Sequence, residues 1–191
     1  MPLRTALLLV DVQQSFTARP YWNAERARPF LAHCNTLIAG CVAAGLPIVR
    51  ILHSDGPDAA DNPFSPASGL LRPLDGLQPF EAALTVEKHR HSALVGTTLP
   101  VWLREQGIGR LIVAGIRTEQ CCETTTRHAS DEGWAVDFCT EATLTFDMRT
   151  PDGHLLSADQ ITERTATVLA GRFATVVTVA QALARAQEPG A

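Results

Sequence analysis

The feature that most restricts the fold of this chain is a regular alternation of short apolar runs with longer amphipathic segments. The first run covers residues 5–12 and is apolar throughout from Ala6 to Val10, which is typical of a strand buried on both faces. Residues 24–44 follow with apolar side chains at helical spacing, and Gly45 is a stop signal. The remaining predicted strands cover residues 47–53, 84–88, 110–116, 134–140 and 173–179, and the remaining predicted helices cover residues 99–106, 118–132, 157–170 and 181–186.

Strands that alternate with helices favour right-handed βαβ units and a parallel sheet. We therefore predict an α/β fold of three layers (α-β-α), with a mostly parallel, six-stranded, Rossmann-like sheet. The 191 residues fit a single domain over residues 1–191. Residues 54–79 are rich in Pro, Gly and Asp without any period, and we expect a long surface loop there.

Composition excludes several classes of protein. Hydrophobic residues make up 46% of the chain and charged residues 19%, which supports a sizeable core and argues against disorder. The net charge is −4 and the basic residues are scattered, so nucleic acid is not expected as a partner. The first apolar run is too short to cross a membrane and has no cleavage pattern, so we expect a soluble cytoplasmic protein. The five cysteines include no CxxC pair and do not suggest a disulfide framework.

Three reactive side chains lie where predicted strands end. Asp11 ends the first strand, Lys88 ends the third, and Cys121 lies in the first turn of the helix after the fourth. Parallel sheets bind ligands at the carboxyl ends of their strands, so these side chains are expected to converge. With Thr118 as N-cap, the helix N-terminus is expected to lower the thiol pKa of Cys121. Asp11 is placed to take the thiol proton, and Lys88 to stabilise both charges.

In this order the residues resemble a known family, the isochorismatase-like cysteine hydrolases. It includes nicotinamidases, N-carbamoylsarcosine amidases, ureidoacrylate amidohydrolases and isochorismatases. Asp11 and Gln13 resemble the family's Asp-x-Gln, and residues 88–94 resemble its Lys-x-x-x-Ser-Ala-Phe, with leucine in place of the aromatic residue. Residues 115–122 resemble its Gly-x-x-Thr-x-x-Cys-Val signature, with cysteine in place of valine. The resemblance covers residues 6–143 and implies the isochorismatase-like hydrolase fold.

The resemblance also implies a role for each residue. Cys121 takes the place of the nucleophile, Asp11 that of the general base and later acid, and Lys88 that of an orienting and polarising group. A cis peptide bond between Ile116 and Arg117 is implied, which would turn the N–H of Arg117 inward to form an oxyanion hole with the N–H of Cys121. The implied reaction is attack on an amide-type carbonyl, loss of ammonia or an amine, and hydrolysis of a thioester.

Residues near the same strand ends are expected to line the substrate pocket. They are Gln13, Phe16, Trp22, His53, Ile116 and Arg117. The Arg117 side chain has two alternatives, to reach a substrate carboxylate or to point towards solvent or a partner subunit. No metal and no cofactor are expected, because no further histidine lies near His53 and no third ligand completes a site with His89 and His91.

Three functions stay open at this point. The presence of Cys121 favours hydrolysis of a small amide or ureido compound. The alternatives are cleavage of a vinyl ether of the isochorismatase type, which uses the aspartate, and a non-catalytic binding or scaffold protein with the same fold. The resemblance implies a small-molecule substrate and a homo-oligomer, either a dimer or a tetramer.

Overall fold

The computed structural model describes residues 3–187, and its elements alternate along the chain as the sequence pattern predicts. In chain order they are β1 (Arg4–Val10), α1 (Ala24–Ala43), β2 (Ile48–His53), β3 (Leu84–Lys88), α2 (Leu99–Glu105), β4 (Ile108–Ile116), α3 (Glu123–Asp131), β5 (Ala135–Leu144), β6 (Met148–Arg149), β7 (Leu155–Leu156), α4 (Ala158–Leu169), β8 (Thr175–Val177) and α5 (Val179–Arg185). A π-helical turn, Thr118–Cys122, precedes α3.

The main sheet has six strands in the order β3-β2-β1-β4-β5-β8, and its neighbouring strands pair in parallel. This confirms the predicted fold class. The register aligns the carboxyl ends of the central strands, because Val10 lies opposite both Ile51 and Gly115. His53 lies opposite Lys88 at the next pair of strand ends. One edge of the sheet therefore collects the residues that follow β1, β2, β3 and β4.

Side chains of β1 alternate between two apolar cores, which explains why this strand is apolar at every position from Ala6 to Val10. Leu7 and Leu9 pack on the face covered by α1 and α5. Leu8 and Val10 pack on the opposite face, against α2, α3 and α4. Burying one such aliphatic side chain contributes about 1.5–3 kcal/mol, so the central strand is held firmly from both sides.

Several boundaries differ from the prediction for local reasons. β1 ends at Val10 rather than at residue 12, because Asp11 adopts a left-handed conformation with φ 53°. β8 is shorter than the predicted 173–179, because Thr178 forms a capping box with Gln181 and begins α5. β6 and β7 form a small antiparallel hairpin that the sequence pattern did not predict.

The loop that follows β2 contains little regular structure, as expected. Within residues 54–79, the structure has a 3-10 turn at Pro66–Ser68 and otherwise turns and irregular chain. Among the helices within residues 3–187, none is long and apolar enough to span a bilayer.

Candidate active site

Two tight backbone features bring the ends of β1 and β4 together. Asp11 leaves β1 with φ 53°, and Gly115 near the end of β4 has φ 138°. A Cβ atom at Gly115 would collide with the backbone of Val10, so only glycine allows the two strands to approach this closely. The peptide bond between Ile116 and Arg117 is cis. The π-helical turn begins immediately afterwards and carries Cys121 to the end of β1.

The structure brings Asp11, Lys88 and Cys121 into direct contact. Nζ of Lys88 lies 2.8 Å from Oδ2 of Asp11 and 3.3 Å from Sγ of Cys121. The carboxyl group of Asp11 also interacts electrostatically with the thiol of Cys121. Asp11 and Lys88 are fully buried, and Cys121 is 5% exposed. Lys88 is the only lysine in the sequence, so the chain's single ammonium side chain is enclosed here.

The charges of these groups depend strongly on one another. Burial raises the pKa of Asp11, and the Lys88 ammonium opposes this only in part. Burial alone would lower the pKa of Lys88, but the charges and hydrogen bonds of Asp11 and Cys121 outweigh it, so that pKa is raised. Burial and the Asp11 carboxylate raise the pKa of Cys121 to about 12. The thiol of Cys121 and the ammonium of Lys88 therefore both keep their protons in the resting site.

The expectation that a helix N-terminus lowers the pKa of Cys121 is wrong. Thr118 is not the N-cap but the first residue of the π-helical turn, and its hydroxyl donates to Oγ1 of Thr143 at 3.0 Å. Arg117 occupies the N-cap position and makes no side-chain cap. Burial and the neighbouring Asp11 carboxylate outweigh any effect of the helix N-terminus on the pKa of Cys121. The thiol therefore needs a base to remove its proton when it reacts.

Two histidines, His53 and His91, contact the site formed by Asp11, Lys88 and Cys121. Nδ1 of His53 accepts a hydrogen bond from Nζ of Lys88 at 3.1 Å. Burial, helped by the charge of Lys88, lowers the pKa of His53 to about 4, so this ring is neutral at pH 7. Nδ1 of His91 lies 3.7 Å from Sγ of Cys121, and the two imidazole rings stack with planes 9° apart.

The contact between His91 and the thiol was not predicted from the sequence, where His91 stands out only as half of a possible metal pair with His89. A signal was available, because His91 lies three residues after Lys88, in the segment that resembles the family motif. Among the described residues, no group of three or more His, Cys, Asp or Glu side chains is arranged to hold a metal ion.

Some residues predicted to line the pocket have other contacts. Gln13 is fully buried, and its amide bonds the backbone of His53 twice, at 2.7 and 2.9 Å, and the Ser15 hydroxyl at 2.9 Å. It therefore joins the ends of β1 and β2. Phe16 packs edge-on against Phe64, with ring centroids 5.1 Å apart. Phe64 in turn lies edge-on to the His53 ring at 6.0 Å, so Phe16 forms a layer behind it.

Trp22 is not shown to contact Asp11, Lys88 or Cys121. Its ring packs against Phe146, with centroids 5.7 Å apart, and it lines a surface cleft of about 330 Å³. Another cleft, of about 810 Å³, lies between α1 and the end of β5 and includes Tyr21 and Phe146. Neither cleft is lined by Asp11 or Cys121.

The Arg117 side chain does not point towards solvent, and its reach to a substrate carboxylate or a partner subunit stays a prediction. Its guanidinium lies 2.9 Å from Oε1 of Glu119, and both side chains are largely buried. It also lies over the rings of Tyr21 and Phe146, 5.1 and 5.9 Å from their centroids. Ile116 is fully buried. The charge of Arg117 is therefore balanced by Glu119 of its own chain.

Comparison with known proteins gives consistent matches. The isochorismatase domain model matches residues 5–181. Nicotinamidase 3 of Arabidopsis thaliana is 32% identical over 171 residues, which is 80% of this chain and 79% of that protein. A ureidoacrylate amidohydrolase of Klebsiella pneumoniae is 26% identical over 66% of this chain and 67% of its own length. The crystal structure of a cysteine hydrolase from Pseudomonas syringae pv. phaseolicola has a TM-score of 0.86 and 25% identity, covering 98% of this chain and 94% of that chain.

Proposed function

Because the chain belongs to the isochorismatase family of hydrolases, we propose that it cleaves the C–N bond of a small amide or ureido compound through a thioester on Cys121. The observation that carries the proposal is the buried thiol in contact with both the Asp11 carboxylate and the Lys88 ammonium. A nicotinamidase and an amidohydrolase among its relatives support an amide-type substrate.

In the first half of the reaction, Sγ of Cys121 attacks the carbonyl carbon and the thiol proton passes to Asp11. A C–S bond forms, and the carbonyl oxygen becomes an oxyanion. We assign the backbone N–H groups of Arg117 and Cys121 as its donors, and one such donor is typically worth about 3 kcal/mol. Lys88 stays protonated throughout, and its charge stabilises the thiolate as it forms.

In the second half, Asp11 returns the proton to the leaving nitrogen, the C–N bond breaks, and ammonia or an amine leaves. Water then attacks the thioester carbon and gives a proton to Asp11, which passes it to the departing thiolate. The raised pKa of Asp11 suits both directions of transfer, because such a carboxyl gives up and regains a proton more easily near neutral pH.

The test uses a panel of small primary amides and ureido compounds, with release of ammonia as the readout. Cys121→Ser should lower turnover by more than about 10³-fold, because a serine hydroxyl is a far weaker nucleophile in this site. Cys122→Ser is the matched control, since this neighbouring cysteine is fully buried and should retain turnover. Intact-mass analysis should detect an acyl group on Cys121. Undiminished turnover by Cys121→Ser would refute the mechanism.

The same variants separate the alternatives. Vinyl ether cleavage through the carboxyl group would be abolished by Asp11→Asn and only mildly affected by Cys121→Ala. A binding protein would turn over no compound in the panel, and its Cys121 would react with iodoacetamide no faster than the other buried cysteines. The homo-oligomer and the cytoplasmic location stay predictions.

A further inference from the structure

Lys88 has fewer N–H donors than there are hydrogen-bond acceptors around its ammonium group. Its Nζ lies 2.8 Å from Asp11, 3.1 Å from Nδ1 of His53, 3.1 Å from the carbonyl oxygen of Arg90 and 3.3 Å from Sγ of Cys121. An ammonium group has only three N–H donors for these four acceptors. The sulfur is the most distant of the four, so a thiolate on Cys121 would compete poorly for Lys88 and needs a second donor.

His91 is positioned to supply that donor. Its Nδ1 lies 3.7 Å from Sγ, within hydrogen-bonding distance for sulfur. Its ring is held parallel to that of His53, with centroids 6.3 Å apart. Unlike Asp11 and Lys88, His91 is exposed, so it can exchange protons with solvent while it contacts the buried sulfur.

A thiolate on Cys121 would place a negative charge 3.7 Å from Nδ1 of His91. The other charged or titratable groups near His91 are Asp11, His53, Lys88 and its chain neighbours His89 and Arg90, and among them only Asp11 can be negative. The charge of His91 acts on Asp11, whose pKa it helps to lower, so the two groups are electrostatically coupled. His53 is neutral at pH 7 and does not compete as a cation.

We propose that His91 is a positioning residue for Cys121, whose imidazolium form donates a hydrogen bond to Sγ and stabilises the thiolate produced when the thiol proton passes to Asp11. The inference rests on the proposed function, since it takes Cys121 as the nucleophile. Deprotonation of His91 removes the charge and weakens this effect. The contribution of His91 therefore declines as pH rises.

Alkylation of Cys121 by iodoacetamide tests this without a substrate. In this reaction Sγ displaces iodide from the methylene carbon, and the thiol proton passes to Asp11 and then to solvent. We would compare the wild-type protein with His91→Phe, which has a ring without nitrogen, and His91→Asn, which can donate a hydrogen bond but carries no charge. His89→Asn is the matched control, because this exposed neighbour bonds the carbonyl oxygen of Ser54 and not the thiol. Peptide mass spectrometry gives the rate at Cys121 alone.

The wild-type rate should exceed that of His91→Phe by about tenfold or more at acidic pH, and this ratio should fall as pH rises. His91→Asn should retain part of the rate without the pH dependence, and His89→Asn should behave as the wild-type protein does. A ratio that is constant with pH, or equal to one throughout, overturns the proposal. If that occurs while Cys121→Ser still abolishes amide hydrolysis, only the role of His91 fails. If Cys121→Ser retains hydrolysis, the proposed function fails instead.

Discussion

Replacing Lys88 with methionine should destabilise the fold strongly, although the two side chains have similar volume. The Lys88–Asp11 pair is fully enclosed, with 0% exposure of both side chains and a separation of 2.8 Å. Methionine preserves most of the packing, so the main effect is a buried carboxylate that has lost its partner. Removing one member of a buried ion pair typically destabilises a protein by about 3–5 kcal/mol, and we expect a loss in that range near pH 8.

A double-mutant cycle isolates the electrostatic part of this loss. Asp11→Asn alone leaves a buried ammonium, whereas Asp11→Asn combined with Lys88→Met leaves no buried charge. The double variant should therefore be more stable than the sum of the two single effects predicts, by about 2 kcal/mol or more. Arg104→Met is the surface control, because it breaks an ion pair with Glu132 whose side chains are 54% and 43% exposed. That change should remove less than about 1 kcal/mol.

The loss of stability caused by Lys88→Met should be larger at high pH than at low pH. Burial already raises the pKa of Asp11, and loss of the ammonium removes the main opposing effect. A carboxyl whose pKa is higher in the folded than in the unfolded state favours folding at low pH, and this contribution is lost as pH rises through the folded pKa. Urea unfolding followed by circular dichroism should therefore show a smaller loss at about pH 5 than at about pH 8. A loss that equals that of Arg104→Met, or that does not change with pH, would refute this reasoning.

Two further predictions concern the backbone at Gly115 and the loss of stability at low pH. Gly115→Ala should reduce the free energy of unfolding by more than about 1 kcal/mol, because the added Cβ would collide with the backbone of Val10. Gly133→Ala is the control and should cost less, because Gly133 also has a positive φ but has open space where a Cβ would lie. Equal losses of the two variants in urea unfolding would show that the close approach to Val10 does not matter. His53 has a pKa of about 4 in the folded protein, below the unfolded value of about 6.5, so stability is lost as pH falls through this window. His53→Gln should lose less stability than the wild-type protein between about pH 7 and pH 4, and parallel losses would contradict the assignment.

Most of the fold could be predicted because its causes are local. The run from Ala6 to Val10 is apolar without interruption because both faces of β1 are covered, and this pattern alone distinguishes a central parallel strand. The convergence of Asp11, Lys88 and Cys121 also follows from sequence order, since each residue ends a strand or lies in the segment directly after one.

The parts that could not be predicted depend on contacts between distant segments. The pKa of Cys121 is raised because the end of β1 supplies a carboxylate and the fold excludes water, and neither effect is visible in the residues next to Cys121. The guanidinium of Arg117 forms an ion pair with Glu119 and lies over the ring of Tyr21. Tyr21 belongs to the distant segment between β1 and α1. The hairpin of β6 and β7 has two residues in each strand, too few for any periodic pattern.

The enclosure of Lys88 has a consequence for the surface of the protein. Every other basic side chain among the 16 lysines and arginines is an arginine, so the folded chain presents no lysine ε-amino group to solvent. Acylating reagents and enzymes that attach groups to lysine have no target side chain in the native state. Labelling of Lys88 by an amine-reactive ester would therefore measure how often the site of Asp11, Lys88 and Cys121 opens to solvent.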